Sequence, residues 1–104
     1  MSSSIHQEAL SILSEECAGV IKSCSKIMRF GTGSSWDGVT NSQTLAKEVG
    51  CLLAVIDIAL ELDIIRQDEI VKAKMDKFKS LAKWSNIVGV ENQDGLLKKA
   101  NQLI

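Results

Sequence analysis

No proline occurs anywhere in the 104 residues, and that absence constrains the fold more than any single motif. Sandwiches and barrels draw on turn prolines and strand-rich aromatics, whereas this chain has two Phe, two Trp and no Tyr. An all-helical domain is the expectation. Hydrophobic residues make up 45% of the chain and the formal net charge is −1, so a packed core rather than disorder follows. The length suits one domain, 1–104, with a core over about 5–88 and a C-terminal helical extension over 92–104.

The apolar spacing predicts three main helices and a short terminal one. From Ile5 to Arg29, the residues Leu10, Leu13, Cys17, Val20, Ile21, Cys24, Ile27 and Met28 recur at steps of three and four, after N-cap candidates at Ser2 to Ser4. Residues 30–38, with three glycines and small polar residues, read as a loop. A second helix is expected from Asn41 or Ser42, both competent caps, to about Leu62, with Leu45, Val49, Leu52, Ile56 and Leu60 on one stripe. Its stretch from Cys51 to Ile56 is apolar nearly all round, which suits burial on more than one side or a subunit interface. A third helix follows Asp68, with Ile70, Val71, Met75, Phe78, Leu81 and Ala82 as its core face, ending near Trp84 and Ser85. Gly89 then separates a terminal helix over 94–104 that presents Leu96, Leu97, Ala100, Leu103 and Ile104.

Charge excludes some partners and leaves others open. A sequence pI near 5.8 lacks the basic excess by which long nucleic acids are bound. No window reaches the roughly 18 apolar residues of a membrane span, and the N-terminus lacks a basic region followed by an apolar run, so neither a membrane partner nor a signal peptide is expected. Three cysteines, an odd number, fit reduced thiols and a cytoplasmic location. The near-neutral total also hides an asymmetry. Residues 66–83 hold six basic against three acidic side chains, and residues 45–65 hold one basic against four acidic. A single nucleotide is compatible with that pattern, as is a pair of solvated helix faces.

Two acidic clusters carry the most chemical information: Glu15-Glu16 in SEECAGVIKSCSKIMRFG and Glu48 in NSQTLAKEVGCLLAVIDI. With Lys26 to Gly31, Asn41, Leu45, the run Glu48 to Ala54 and Lys83 to Ile87, they give a chain that resembles the MazG-like all-α nucleoside triphosphate pyrophosphohydrolases, in particular short phage-type members, over about residues 8–88. The resemblance implies a helical, oligomeric architecture and a host-cytoplasmic protein if phage-encoded. The family is marked by Glu-Glu-x-x-Glu on one helix and Glu-x-x-Asp on the next. Residues three apart share a helix face, so two such pairs on facing helices converge on Mg²⁺, a hard ion that prefers oxygen. In the family that metal supports release of a nucleoside monophosphate and pyrophosphate.

Carried over residue by residue, the pattern departs from the family at two of its four ligand positions. Glu15, Glu16 and Glu48 match as catalytic acids, with Glu16 and Glu48 as metal ligands, but the third acid of the first helix falls on Gly19 and the aspartate of the second on Cys51. Gly19 offers no ligand, and a thiol is too soft for Mg²⁺. Asp57 lies about half a revolution from Glu48 and points elsewhere. Three readings stand: a natural loss in a protein that kept its nucleotide pocket, substitutions made to trap a ligand, or a two-acid site that still holds one metal. The expected function is therefore nucleotide binding or sequestration with little hydrolysis, including nucleotide-derived immune signals. The alternatives are an active Mg²⁺-dependent pyrophosphohydrolase and a helical protein–protein adaptor.

The remaining candidates are nucleotide contacts. Ser23 and Lys26 lie within about 80° of Glu16 around the first helix, so Lys26 could meet a phosphate or simply snorkel at the surface. Lys72, Lys79 and Lys83 are further cations. Trp36 in the Gly/Ser loop is a candidate for stacking on a base or for a subunit contact, Trp84 for stacking or for capping the core, and Asn41 for a helix cap or a base or phosphate contact. Cys17 and Cys24, seven apart, read as core, and His6 as a surface residue. Gly31-Thr32-Gly33 lacks the Lys-Ser/Thr of a phosphate loop. A homodimer or homotetramer is expected, because three helices of this size bury little around Leu53 and Val55.

Overall fold

A computed structural model of the chain describes residues 4–87, 90–100 and 102, with residues 36, 90 and 91 described by their backbone alone. Among the described residues there are four helices, α1 (Ser4–Phe30), α2 (Asn41–Glu61), α3 (Gln67–Trp84) and α4 (Val90–Lys98), with strands β1 (Ser35–Trp36) and β2 (Val39–Thr40) between α1 and α2. The protein is thus helical, as the missing prolines suggested. Its residues gather into two compact units, Met1–Leu62 and Asp63–Ile104. The cap candidates Ser2 and Ser3, the separator Gly89, and Leu103 and Ile104 lie outside the described residues.

In the first unit, α1 runs 27 residues without a break and stops at Gly31. That glycine takes a positive φ of 86° and donates its N–H to Ile27 O at 2.7 Å, closing the last turn in a conformation a side chain would strain. The expected loop over 30–38 is corrected to a hairpin, with Ser35 opposite Thr40 and Trp36 opposite Val39. Asp37 and Gly38, at φ 54° and 78°, form its two-residue turn. Two successive positive φ values match the right-handed twist of a tight hairpin, and Asp-Gly is the dipeptide that supplies them most readily.

The start of α2 also differs from expectation. Thr40, not Asn41 or Ser42, is the N-cap: its hydroxyl accepts from Gln43 N at 3.1 Å while the Gln43 side chain accepts from Thr40 N at 2.9 Å. This reciprocal box leaves the Asn41 side chain available for another bond.

The helices α1 and α2 pack antiparallel, and three independent neighbourhoods fix their register. Ile5, Ala9 and Ile12 share a groove with Leu62, Ile58 and Val55; Gly19 lies against Glu48; Lys26 shares a cleft with Asn41. Each step forward on α1 is matched by an equal step back on α2. The seam is lined on α1 by small and polar residues: Ala9 and Ser23 are buried, and Glu16 and Gly19 half-buried. This corrects the expected core stripe in part: Leu13, Val20 and Ile27 are half-buried as expected, and the others are not. Cys17 and Cys24 are exposed, about 100° around the helix from Glu16 and Ser23, and Leu10, Ile21 and Met28 are exposed as well. Small side chains let the two backbones approach, and the larger apolar residues are left on the flanks. On α2, Val55 and Ala59 are buried while Cys51, Leu52, Leu53 and Ile56 are half-buried. His6 is half-buried in α1 rather than a surface residue.

In the second unit the sequence stripe holds. Ile70, Val71, Met75, Phe78, Leu81 and Ala82 are all half-buried on α3, which packs on α4. The terminal helix begins and ends earlier than expected, at 90–98 instead of 94–104, with Leu96 and Leu97 half-buried and Ala100 buried just beyond it. Trp84 is corrected from a core cap: it is 78% exposed, with the Lys83 ammonium 5.1 Å from its ring centroid. A helix-terminal indole held under a lysine has no core to enter.

Candidate functional site

The candidate site is the α1–α2 seam, read layer by layer. A Cβ built on Gly19 would lie 2.5 Å from Glu48 Oε2 and 3.2 Å from the carboxyl carbon, so the Glu48 carboxylate occupies the space that any side chain at position 19 would need. The register places Cys51 level with Glu16, one layer away on the N-terminal side of α1. By that register the four positions singled out by sequence fall in two adjacent layers, of which the Gly19–Glu48 pair is in contact. Each layer holds a single carboxylate, Glu16 opposite a thiol and Glu48 opposite a glycine. Glu15 is exposed, one residue off the seam face.

That donor set does not make up the four-acid Mg²⁺ site of the resembled family. Among the described residues no three His, Cys, Asp or Glu side chains converge as metal ligands. Two carboxylates in successive layers, beside a soft thiol, do not supply the oxygen cage that four acids would.

About 10 Å farther along the seam, seven residues on from Gly19 and seven back from Glu48, lies an open cleft of mixed polar and apolar lining. It has a volume of about 310 Å³ and is lined by Lys26, Phe30, Ser34, Ser35 and Asn41. Two sequence candidates, Lys26 and Asn41, are thus brought together. Trp36 follows Ser35 in β1, beside the lining residues in the chain. Phe30 was missed by sequence reasoning; its place at the last turn of α1, four residues after Lys26, is the signal that it shares the lysine's face.

The cleft is held open by backbone bonds. Asn41 Nδ2 donates to Gly31 O at 3.0 Å, tying the start of α2 to the end of α1. Asn41 N donates to Ser34 O at 2.8 Å, and Ser42 N to Thr32 O at 3.1 Å. With Gln43 N bound to the Thr40 hydroxyl, the first three amides of α2 are all committed. A helix N-terminus ordinarily offers such amides to an anion, so the positive charge lining this cleft comes from Lys26. The Arg29 guanidinium lies over Phe30, 4.9 Å from the ring centroid.

Lys83 and Trp84 belong to the second unit, as do Lys72 and Lys79. Lys72 is committed to Asp76 at 2.7 Å, and Arg66 to Asp68 at 2.9 Å and Glu69 at 3.6 Å. The hydrogen bond from Arg66 holds the Asp68 carboxyl below its ordinary value, and that from Lys72 does the same for Asp76. Arg66 and Lys72 are raised in return by the same bonds. All four are fully solvated surface groups.

Among the described residues, no helix is long and apolar enough to cross a membrane. Comparison with known proteins yields no match: no family model, no curated protein and no solved structure is significantly similar to the chain.

Proposed function

We propose that the chain is a nucleotide-binding protein of the MazG-like type that holds a nucleotide or nucleotide-derived signal with little or no hydrolysis. One observation carries this reading: Gly19 lies against Glu48, and position 19 is where the resemblance would put a second acid. The Lys26–Asn41 cleft supports it from the other side, because it supplies a cation, hydroxyls and an aromatic ring in one recess. Function is decided by the site and not by the fold, and this site keeps binding groups while lacking the carboxylates that would hold a catalytic Mg²⁺.

Self-association and a cytoplasmic location belong to the same proposal. Three free thiols suit a reducing compartment. A groove of about 190 Å³ between the N-terminal turns of α1 and the C-terminal turns of α2 exposes Ile5, Ile12 and Ile58, the last by 50%. A second copy would cover it in a homodimer or homotetramer. Light scattering on the intact chain tests this, and a stable monomer at tens of micromolar would contradict it.

The catalytic part of the proposal is tested by pyrophosphate release with Mg²⁺ or Mn²⁺, comparing the parent with the double variant Gly19→Glu, Cys51→Asp. The expected result is turnover by the variant alone. Rapid release by the parent would establish the working pyrophosphohydrolase that uses Glu15, Glu16 and Glu48. Absence of nucleotide binding by both would leave a helical adaptor.

A further inference from the structure

Within the nucleotide-binding reading, on which this step rests, the seam discriminates by phosphate number. We infer that the Lys26 cleft takes a nucleoside monophosphate without metal and disfavours the di- and triphosphate. The first ground is the count of charge. Of the five lining residues Lys26 alone is ionised and none is acidic, and the neighbouring Arg29 guanidinium is engaged over the Phe30 ring. The second is the fate of the α2 amides. Asn41 N, Ser42 N and Gln43 N donate to Ser34 O, Thr32 O and the Thr40 hydroxyl, so the usual neutral donors for a phosphate are spent on the loop that forms the cleft wall. Ser34 and Ser35 can add hydroxyl donors, but no further charge.

The third ground is what lies next along the seam. Glu48 follows about 10 Å from Lys26 along the seam, and Glu16 lies in the next layer, so each phosphate added on that side brings negative charge toward these carboxylates. With four acids and bound cations that stretch would be neutralised; with two acids and no cation it is repulsive to each added phosphate. The nucleoside end has better prospects. Asn41 Nδ2 is bound to Gly31 O, which leaves its Oδ1 as an acceptor for a base or sugar donor. Arg29 covers one face of the Phe30 ring, so one face at most is open for stacking.

The test is calorimetric binding of AMP, GMP, CMP and UMP and of the matching di- and triphosphates to the full-length protein in excess chelator. The monophosphate of the preferred base should bind most tightly, and each added phosphate should weaken binding by about fivefold, the Coulomb effect of a charge about 10 Å from Glu48 at intermediate dielectric. Lys26→Gln should weaken monophosphate binding by about tenfold while leaving the circular-dichroism spectrum and melting temperature unchanged, because Lys26 is exposed. A triphosphate that binds as tightly as the monophosphate in chelator would overturn this inference and leave nucleotide binding intact. Failure of every nucleotide to bind, with or without Mg²⁺, would overturn both. Unchanged affinity in Lys26→Gln would remove the cleft as the phosphate subsite.

Discussion

The cleft at Lys26 and Asn41 and the acidic layers at Gly19 and Glu48 lie on the same two helices, seven residues apart, yet they are built by opposite means. The cleft is tied by directional bonds: an αL cap at Gly31, a capping box at Thr40 and Gln43, and a side-chain tether from Asn41 to Gly31 O. The acidic layers are shaped by space, with the Glu48 carboxylate lying where position 19 has no side chain. Charge can therefore be withdrawn from the layers with little consequence for the backbone, whereas the cleft's groups hold its walls together.

The largest effect should come from putting the charge back. In Gly19→Glu, Cys51→Asp, the new carboxylates crowd Glu16 and Glu48, and in chelator the variant should lose about 2 kcal/mol, lowering its melting temperature by about 10 °C. Addition of Mg²⁺ should restore it, while the parent should melt at one temperature in both buffers. Equal melting of the variant with and without Mg²⁺ would show that the layers do not converge.

Breaking the cleft should cost less. Asn41→Leu removes the tether to Gly31 O and should destabilise by about 1 kcal/mol in urea denaturation. Thr40→Ala removes the cap hydroxyl, also at about 1 kcal/mol. Both should weaken nucleotide binding, since both loosen a cleft wall, and unchanged affinity would dissociate the wall from the ligand. Gly19→Ala should be smaller still, within about 0.5 kcal/mol of the parent. The gain in helix propensity is offset by moving the flexible end of Glu48 away from the new Cβ. A loss above about 2 kcal/mol would mean that Glu48 cannot move.

These contrasts also separate what the sequence made legible from what it hid. The long helices α1, α2 and α3 follow from three-and-four spacing in a chain without proline, and α3's half-buried stripe agrees residue for residue. The α1 stripe agrees only at Leu13, Val20 and Ile27, because a two-helix seam favours small residues such as Ala9, Gly19 and Ser23, which hydropathy spacing passes over in favour of Ile21 and Met28. The hairpin was written in Asp37-Gly38 but masked by two-residue strands too short to show alternation. Phe30 escaped notice because its role needs the loop to fold back beside Lys26. The contact of Gly19 with Glu48, by contrast, joins two positions that the acidic pattern had already singled out.

The smallest effect concerns pH. Asp68 and Asp76 are lowered by their bonds from Arg66 and Lys72, so their stabilisation is present above the ordinary aspartate value of 3.8 and is lost as pH falls through their lowered values. Lys72 and Arg66 are raised, so their share is present below their ordinary values and is lost only as pH rises beyond their raised values. These exposed pairs should leave stability flat between about pH 5 and 9 and little changed in Lys72→Ala, as urea midpoints across pH would register.

Nucleotide affinity measured in chelator and again in millimolar Mg²⁺ bears most directly on the central claim. If the seam binds through Lys26 and has shed its metal layers, the monophosphate should bind in both buffers with affinities within about twofold of each other. Binding that appears only with Mg²⁺ would contradict that account and favour a metal-dependent site.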